Sequence, residues 1–241
     1  MSIIIANWKM NFSASEAEKM ADSLQKLEPA SKDKIVISAP YIHIPTLKKA
    51  EIKLAGQNIS AESEYGAHSG EINAKMLKSY GVDYCIIGHS EIRARYNENN
   101  DIIKAKIHNC INSNITPIIC IGESSDEKNS GHTLQALNNH IKELLSDNIS
   151  SEIIVAYEPI WSIGTGVTPS TEELSEVMEY LNNILKELDQ LEKGYKLVYG
   201  GSVNEKNIQQ IIGNKFVDGA LIGGASLDIK KFEALLAQVM D

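Results

Sequence analysis

Short apolar runs alternate with longer amphipathic segments along most of the chain. The runs are rich in β-branched residues, which is typical of strands that are buried on both faces of a parallel sheet. They occupy residues 3–6, 35–37, 52–55, 84–87, 115–121, 153–157, 196–199 and 220–222.

The segments between these runs carry apolar residues at helical spacing. One such face contains Ala17, Met20, Ala21, Leu24 and Leu27, and another contains Leu174, Val177, Met178, Leu181, Leu185 and Leu188. Each face follows a serine and a glutamate three residues apart, Ser13 with Glu16 and Ser170 with Glu173, which predicts a capping box. Residues 102–111, 134–145 and 232–240 are predicted as further helices. Residues 123–132 are weakly patterned, which predicts a loop or a frayed helix start.

Strands that alternate with helices predict right-handed βαβ crossovers and a parallel sheet. The chain contains about eight such units, the number that a closed barrel requires. We therefore predict an α/β fold, a single (β/α)8 TIM barrel domain over residues 1–241. A doubly wound open sheet is the alternative, because periodicity alone does not distinguish the two architectures.

Composition and charge narrow the classes of function. Hydrophobic residues make up 43% of the 241 residues and charged residues 23%, as in an ordinary globular protein rather than a disordered one. The formal net charge of −9 argues against nucleic acid or an anionic membrane as a partner. Any site for an anionic substrate must therefore be locally positive, through backbone N–H groups and one or two lysines.

The sequence also predicts the cellular compartment of the protein. No apolar run reaches the length that spans a membrane, and residues 2–6 are too short for the core of a signal peptide, so we expect a cytoplasmic protein. Cys85, Cys110 and Cys120 are odd in number and widely spaced. This pattern predicts small buried apolar residues rather than disulfides or a zinc site.

Candidate chemical groups follow the predicted strands, because the active site of a parallel barrel lies at the carboxyl ends of its strands. Asn7 and Lys9 follow the first strand, His89 and Glu91 the fourth, and Glu158 the sixth. Lys9 is a candidate cation for a phosphate group, and Asn7 a candidate amide donor to an oxyanion. His89 is either a structural histidine or a donor to a substrate carbonyl oxygen.

Glu158 is the candidate general base. Partial burial at a strand mouth would raise the pKa of its carboxyl group and make it a better base near neutral pH. The segment that follows it has proline and glycine at its ends and an apolar middle, which predicts a lid that excludes water. The candidate lid residues are Pro159, Ile160, Trp161, Gly164, Thr165 and Gly166.

Two glycine pairs follow the last two predicted strands. Gly200-Gly201 leads to Ser202, and Gly223-Gly224 leads to Ala225. Glycine lets a backbone approach a ligand closely, and the loops after the seventh and eighth strands form the phosphate site in many such barrels. The chain has no Walker sequence, dinucleotide fingerprint or His/Cys metal cluster, so we predict no metal and no cofactor.

Four segments in this order closely resemble the triosephosphate isomerase family. They are Asn7-Trp8-Lys9-Met10-Asn11, Gly88-His89-Ser90-Glu91, Ala156-Tyr157-Glu158-Pro159-Ile160-Trp161 and Tyr199-Gly200-Gly201-Ser202-Val203. The resemblance extends over nearly the whole chain. It implies a cytoplasmic isomerase of glycolysis and gluconeogenesis that interconverts dihydroxyacetone phosphate and D-glyceraldehyde 3-phosphate without a cofactor.

The resemblance also implies roles for individual residues. Glu158 matches the base that moves the proton, and His89 matches the neutral imidazole that polarises the carbonyl. Lys9 and Asn7 match the groups that stabilise charge, and Glu91 matches a supporting carboxylate. The family's backbone phosphate binders correspond here to Gly164, Ser202, Gly223 and Gly224. Its closing loop corresponds to residues 159–166.

A homodimer is expected from the same resemblance, with residues 65–71 reaching into the neighbouring active site. Ser69 and Glu71 are therefore candidate dimer contacts. The chain departs from the family at this surface, since Ile92 stands where an arginine is usual and His68 where an aromatic residue is usual. We expect a dimer with a modified interface.

Two other functions agree with a barrel of this kind. A different phosphate-binding barrel enzyme, such as an aldolase-like or tryptophan-pathway isomerase, predicts a Schiff-base lysine or an Asp/Cys pair at the strand ends, and neither is evident. A barrel kept only as a binding or adhesive protein predicts the loss of Lys9, His89 or Glu158, and all three are present.

Overall fold

The computed structural model of the chain describes residues 2–239. Eight parallel strands close into a barrel in sequence order, with β1 paired to both β2 and β8. The closed barrel confirms the predicted fold and excludes the open sheet. The strands are β1 (Ile3–Asn7), β2 (Ile35–Ser38), β3 (Lys53–Gly56), β4 (Tyr84–Ile87), β5 (Thr116–Ile121), β6 (Ile153–Tyr157), β7 (Tyr195–Tyr199) and β8 (Gly219–Ile222).

Helices surround the barrel. They are α1 (Ala14–Gln25), α2 (Pro29–Lys32), α3 (Ile44–Leu47), α4 (Ala74–Ser79), α5 (Ser90–Tyr96), α6 (Asn100–Asn112), α7 (Ser125–Asn129), α8 (Thr133–Leu144), α9 (Thr171–Lys186), α10 (Ile208–Ile212) and α11 (Ile229–Ala237). Within residues 2–239, four short 3₁₀ helices cover Tyr41–His43, Lys48–Ala50, Ile160–Ser162 and Gly224–Ser226. Both predicted capping boxes are present, at the starts of α1 and α9.

Alternation along each strand divides the core into two layers. Ile5 packs inside the barrel and Ile4 packs outside it, because successive side chains of a strand point to opposite faces. The inner layer takes at least one residue from each strand: Ile3, Ile5, Val36, Ala55, Ile86, Ile118, Cys120, Ile154, Ala156, Val198 and Leu221. The outer layer joins the strands to the apolar faces of the helices. Side chains therefore fill the interior of the barrel, and the pocket is formed by the loops at the carboxyl ends of the strands.

Some predicted boundaries were wrong. The last helix begins at Ile229, because Asp228 caps it by accepting hydrogen bonds from the backbone N–H groups of Lys230 and Lys231. Its predicted end, Met240, lies outside the described residues, as do Met1 and Asp241 of the predicted domain span. The weakly patterned segment 123–132 contains the short helix α7, which a capping box between Ser124 and Glu127 starts. Leu27 and Leu188 lie just beyond the ends of α1 and α9 and still pack against the core.

Two observations concern the described residues as a whole. No helix among residues 2–239 is long and apolar enough to cross a membrane. The three cysteines are buried and free, as predicted.

Candidate active site

A pocket of about 510 Å³ opens at the carboxyl ends of the strands. It brings together the candidate residues that follow β1, β4 and β6, together with the glycine-rich loops after β7 and β8. The predicted site residues that line it are Asn7, Lys9, His89, Glu158, Gly164, Gly166, Ser202, Gly223 and Gly224. Groups that are far apart in the sequence thus face one space.

Glu158 is held at the wall of this pocket. Its backbone N–H donates to the carbonyl of Ile121 at 2.7 Å, and the residue is only 2% exposed, more deeply buried than predicted. Glycines that directly follow the two neighbouring strands, β5 and β7, make room for it. A Cβ atom at Gly122 would lie 1.7 Å from the Glu158 carbonyl oxygen, and one at Gly200 would lie 2.7 Å from Cγ of Glu158. The position of the carboxylate therefore depends on two residues without side chains.

The surroundings of Glu158 shift the pKa of its carboxyl group upward. Burial is the main cause, since it penalises the charged form, and Glu91 adds to it. His89, the thiol of Cys120 and Lys9 act in the opposite direction by stabilising the carboxylate. A carboxylate with a raised pKa is a stronger base than a solvated one.

His89 faces Glu158 across the pocket. Its Nε2 atom lies 3.5 Å from Oε1 of Glu158. Its Nδ1 atom accepts a hydrogen bond of 3.2 Å from the backbone N–H of Glu91, at the start of α5. An imidazole that accepts at Nδ1 is neutral and carries its proton on Nε2. His89 therefore presents an N–H donor to the same space that Glu158 faces.

Lys9 brings a positive charge to the pocket, which Lys206 and Lys231 also line. Its Nζ atom lies 2.6 Å from Oε1 of Glu91. The backbone of Lys9 is left-handed, with a φ of 52°, an unusual conformation for a residue other than glycine. Two contacts hold it there: the Lys9 N–H donates to Oδ1 of Asn7, and the Gln57 amide donates to the Lys9 carbonyl. Hydrogen bonds therefore hold this backbone in a conformation that is costly for a lysine.

The candidate lid is tied to the barrel by Glu123, which is 1% exposed. Oε1 of Glu123 accepts hydrogen bonds from Nε1 of Trp161 at 2.8 Å and from the hydroxyl of Tyr157 at 3.2 Å. Nζ of Lys128 lies 4.3 Å from the centre of a Trp161 ring. Further along, Ser202 donates its hydroxyl to the carbonyl of Ser162 at 2.8 Å.

The remaining lid residues differ from one another in conformation, exposure and hydrogen bonding. Pro159 precedes a 3₁₀ turn, Ile160 is half exposed, and Thr165 donates its hydroxyl to the Ser162 carbonyl. Gly164 and Gly166 have φ values of 71° and 77°, a left-handed backbone that glycine adopts readily. The segment therefore has apolar residues at its start and two glycines near its end.

Ser69 and Glu71 lie away from this pocket. Both are exposed, and Glu71 lines a separate groove of about 570 Å³ with His68, Ile92 and Tyr96.

Sequence reasoning missed one neighbour of Glu158, the thiol of Cys120, because only the pairing of β5 with β6 shows that the two residues are close. In the described part of the chain, no cluster of three or more His, Cys, Asp or Glu residues is arranged to hold a metal ion.

Comparison with known proteins shows the family of this chain. The family model described as triosephosphate isomerase matches residues 2–239. The chain belongs to the triosephosphate isomerase family. Proteins named triosephosphate isomerase are 37% identical to it in Mesomycoplasma hyorhinis, where the match covers 98% of this chain and 97% of that protein, and 37% identical in Clostridium botulinum, where it covers 98% of both. A third, from Alkaliphilus metalliredigens, is 36% identical over 95% of this chain and 96% of its own length. The resemblance read from four segments is confirmed.

Proposed function

We propose that the chain interconverts dihydroxyacetone phosphate and D-glyceraldehyde 3-phosphate, as the names of its relatives indicate for those proteins. The observation that carries the proposal is the pocket in which a buried carboxylate, a neutral imidazole and an ammonium group face one another. An aldose–ketose isomerisation needs these three groups: a base, a hydrogen-bond donor and a cation.

The first step removes a proton from carbon. Glu158 takes a proton from C1 of dihydroxyacetone phosphate, and the C–H electron pair forms the C1=C2 double bond of an enediolate. The charge moves to the oxygen on C2, which the Nε2–H of His89 and the ammonium of Lys9 stabilise. Asn7 lines the same pocket and fixes the Lys9 backbone. In this step Lys9 exchanges its contact with Glu91 for the substrate.

The second step returns the proton to the adjacent carbon. The hydroxyl proton passes from the oxygen on C1 to the oxygen on C2, with His89 as the nearest donor, and Glu158 delivers its proton to C2. The product is glyceraldehyde 3-phosphate, and the enzyme is restored. The atoms, protons and charges of the two steps balance without a metal ion or an organic cofactor.

The phosphate group is assigned to the glycine-rich side of the pocket. Gly164, Ser202, Gly223 and Gly224 line it, and their backbone N–H groups are the donors we expect to contact the phosphate oxygens. Closure of residues 159–166 over this group would keep water from the enediolate, which could otherwise eliminate phosphate. The reaction belongs to glycolysis and gluconeogenesis.

We also propose that two copies associate through the groove lined by Ile92 and Tyr96. Tyr96 lines this groove and is 63% exposed, and Ile42, which follows the groove residue Tyr41 in the sequence, is 79% exposed. Exposed apolar area of this kind is typical of protein–protein interfaces. Ser69 and Glu71 are the residues of the exposed loop that we expect to meet the partner.

A cytoplasmic location is part of the proposal. Cys85, Cys110 and Cys120 are buried as free thiols. Free thiols are the rule in reducing compartments, whereas secreted proteins favour disulfides.

A coupled assay of dihydroxyacetone phosphate conversion tests the function. The purified chain should form glyceraldehyde 3-phosphate without added metal and in the presence of a chelator. A barrel that only binds ligands should show no turnover, and a different barrel isomerase should convert another sugar phosphate instead.

A further inference from the structure

A second, smaller cavity lies on another side of Glu158. It measures about 140 Å³ and is lined by residues of α5, α7 and α8 together with the end of β5, among them Ser90, Arg93, Cys120, Glu127 and His140. Glu158 lines both this cavity and the large pocket. The carboxylate therefore stands between the substrate space and a second space that the reaction described above does not use.

Three buried polar atoms of the residues around this cavity have no hydrogen-bond partner among the described residues. They are Oε2 of Glu158, Nη2 of Arg93 and Nδ1 of His140. The rest of the Arg93 guanidinium is already engaged, since Nε donates to the Gly88 carbonyl at 3.0 Å and Nη1 donates to Oδ1 of Asn100 at 2.7 Å. Buried polar atoms nearly always have a partner, so three on residues that line one cavity indicate a common polar ligand.

We propose that Arg93 and His140 are positioning residues for Glu158, which hold its Oε2 atom through water molecules bound in this cavity. The volume is sufficient for about four waters, at roughly 30 Å³ for each water of the liquid. The waters accept from Nη2 of Arg93, donate to Oε2 of Glu158 and bond Nδ1 of His140. With Oε2 held in this way, Oε1 stays directed at His89 and the substrate.

Charges around the cavity favour water over an anion. Two carboxylates, Glu127 and Glu158, line it with the single guanidinium of Arg93. Burial and the nearby Arg93 lower the pKa of His140, whereas Glu127 and Glu143 oppose this shift, so the imidazole is neutral at pH 7. A neutral imidazole adds no charge to attract an anion, and water satisfies donors and acceptors alike.

The inference rests on the proposed function, because it assigns to the cavity an effect on the base of that reaction. Hydrogen bonds to a carboxylate favour its charged form and therefore oppose the effect of burial on Glu158. The other charged groups that act on Glu158 are Lys9, His89 and Glu91, and the Cys120 thiol lies beside it. None of these changes when His140 is replaced.

Two variants of His140 separate positioning from packing. His140→Gln keeps a polar side chain at the cavity, and His140→Leu removes it. We expect His140→Leu to lower kcat about fivefold, the effect of one lost hydrogen bond, with KM nearly unchanged and the acid limb of the pH–rate profile moved to higher pH. His140→Gln should stay within about twofold of the parent chain, as should the control His108→Leu, whose imidazole contacts Asp147 on the surface. Parent-like behaviour of His140→Leu, or equal losses in both His140 variants with no shift of the acid limb, would overturn the proposal.

A crystal structure of the parent chain at high resolution provides a second test that does not depend on how the variants fold. We expect ordered waters that bridge Oε2 of Glu158 to Arg93 or His140, and a dry or anion-filled cavity would overturn the proposal. This result is separable from that of the assay. An inactive parent chain would refute the proposed function, whereas an active chain with a dry cavity would refute only this inference.

Discussion

Oε1 of Glu158 lies 3.5 Å from Nε2 of His89, although the two residues follow different strands, β6 and β4. The carboxylate oxygen and the imidazole N–H face one pocket, and Lys9 lines its wall. A substrate placed there would meet a base on one side and a hydrogen-bond donor on the other. Burial of the Glu158 carboxylate affects the stability of the folded protein as well as the chemistry of the pocket.

Glu158→Gln should stabilise the protein at neutral pH. The folded-state pKa of Glu158 is raised by burial, so the folded protein binds this proton more tightly than the unfolded chain does. Above the folded pKa, the native state carries a buried charge that the unfolded state carries in water. The variant should therefore gain on the order of 1 kcal/mol at pH 7, and the gain should shrink as the pH falls through the folded pKa toward the unfolded value. Thermal unfolding between pH 4 and pH 8 measures this, with Glu179→Gln as the exposed control. A gain that does not depend on pH would contradict the argument.

Gly122→Ala should damage both stability and activity. The added Cβ would lie 1.7 Å from the backbone carbonyl oxygen of Glu158, so the two strand ends must move apart. We expect a loss of about 2–4 kcal/mol in the free energy of unfolding and a large loss of kcat. Gly224→Ala is the matched control for stability, because its Cβ would meet no atom within 4 Å. Equal unfolding midpoints for the two variants would show that the strands are less tightly coupled than the structure indicates.

Trp161→Phe should loosen the candidate lid. The variant loses the indole N–H that donates to the buried Oε1 of Glu123, and among the described residues this oxygen then keeps one side-chain donor, the Tyr157 hydroxyl. We expect about 1–2 kcal/mol of destabilisation and faster proteolytic cleavage within residues 159–166. Limited proteolysis and thermal unfolding measure these effects, with the exposed Tyr80→Phe as the control. Unchanged cleavage would mean that this hydrogen bond does not hold the segment.

The chain should be a dimer despite Ile92. We expect light scattering coupled to size-exclusion chromatography to give about twice the mass of one chain. Tyr96→Asp places a charge in the groove and should shift the mass toward that of one chain, with a parallel loss of activity. The control Tyr80→Phe should remain dimeric. A parent chain that is fully active at the mass of a single subunit would refute the modified interface.

The strands were easier to predict than the helices. Every predicted strand agrees with the structure to within one residue at each end, because a strand buried on both faces needs a continuous apolar run. Short helices such as α4 and α5 are too brief to show a helical period, so pattern alone does not reveal them. The apolar residues of α11 alone predict a start that is too late, because the cap at Asp228 sets the start of this helix.

The candidate site was predictable where it follows strand ends. This position predicts Asn7, Lys9, His89 and Glu158 as site residues, and the structure brings them into one pocket. Their roles remain predictions. The sequence alone does not show which side chains strand pairing brings together or which polar atoms become buried. The position of the Cys120 thiol beside Glu158 and the unpartnered atoms around the second cavity are properties of the folded chain alone.

The central claim is that Glu158 is the base of the isomerisation, and its most direct test is the turnover of Glu158→Gln. Interconversion of dihydroxyacetone phosphate and glyceraldehyde 3-phosphate should be measured for the parent chain and for the variant at equal concentration, with circular dichroism and light scattering to establish that the variant keeps its fold and assembly. We predict a loss of at least about a hundredfold in kcat, in line with the usual contribution of a positioned general base. Turnover by the folded variant within a few-fold of the parent chain would contradict the assignment.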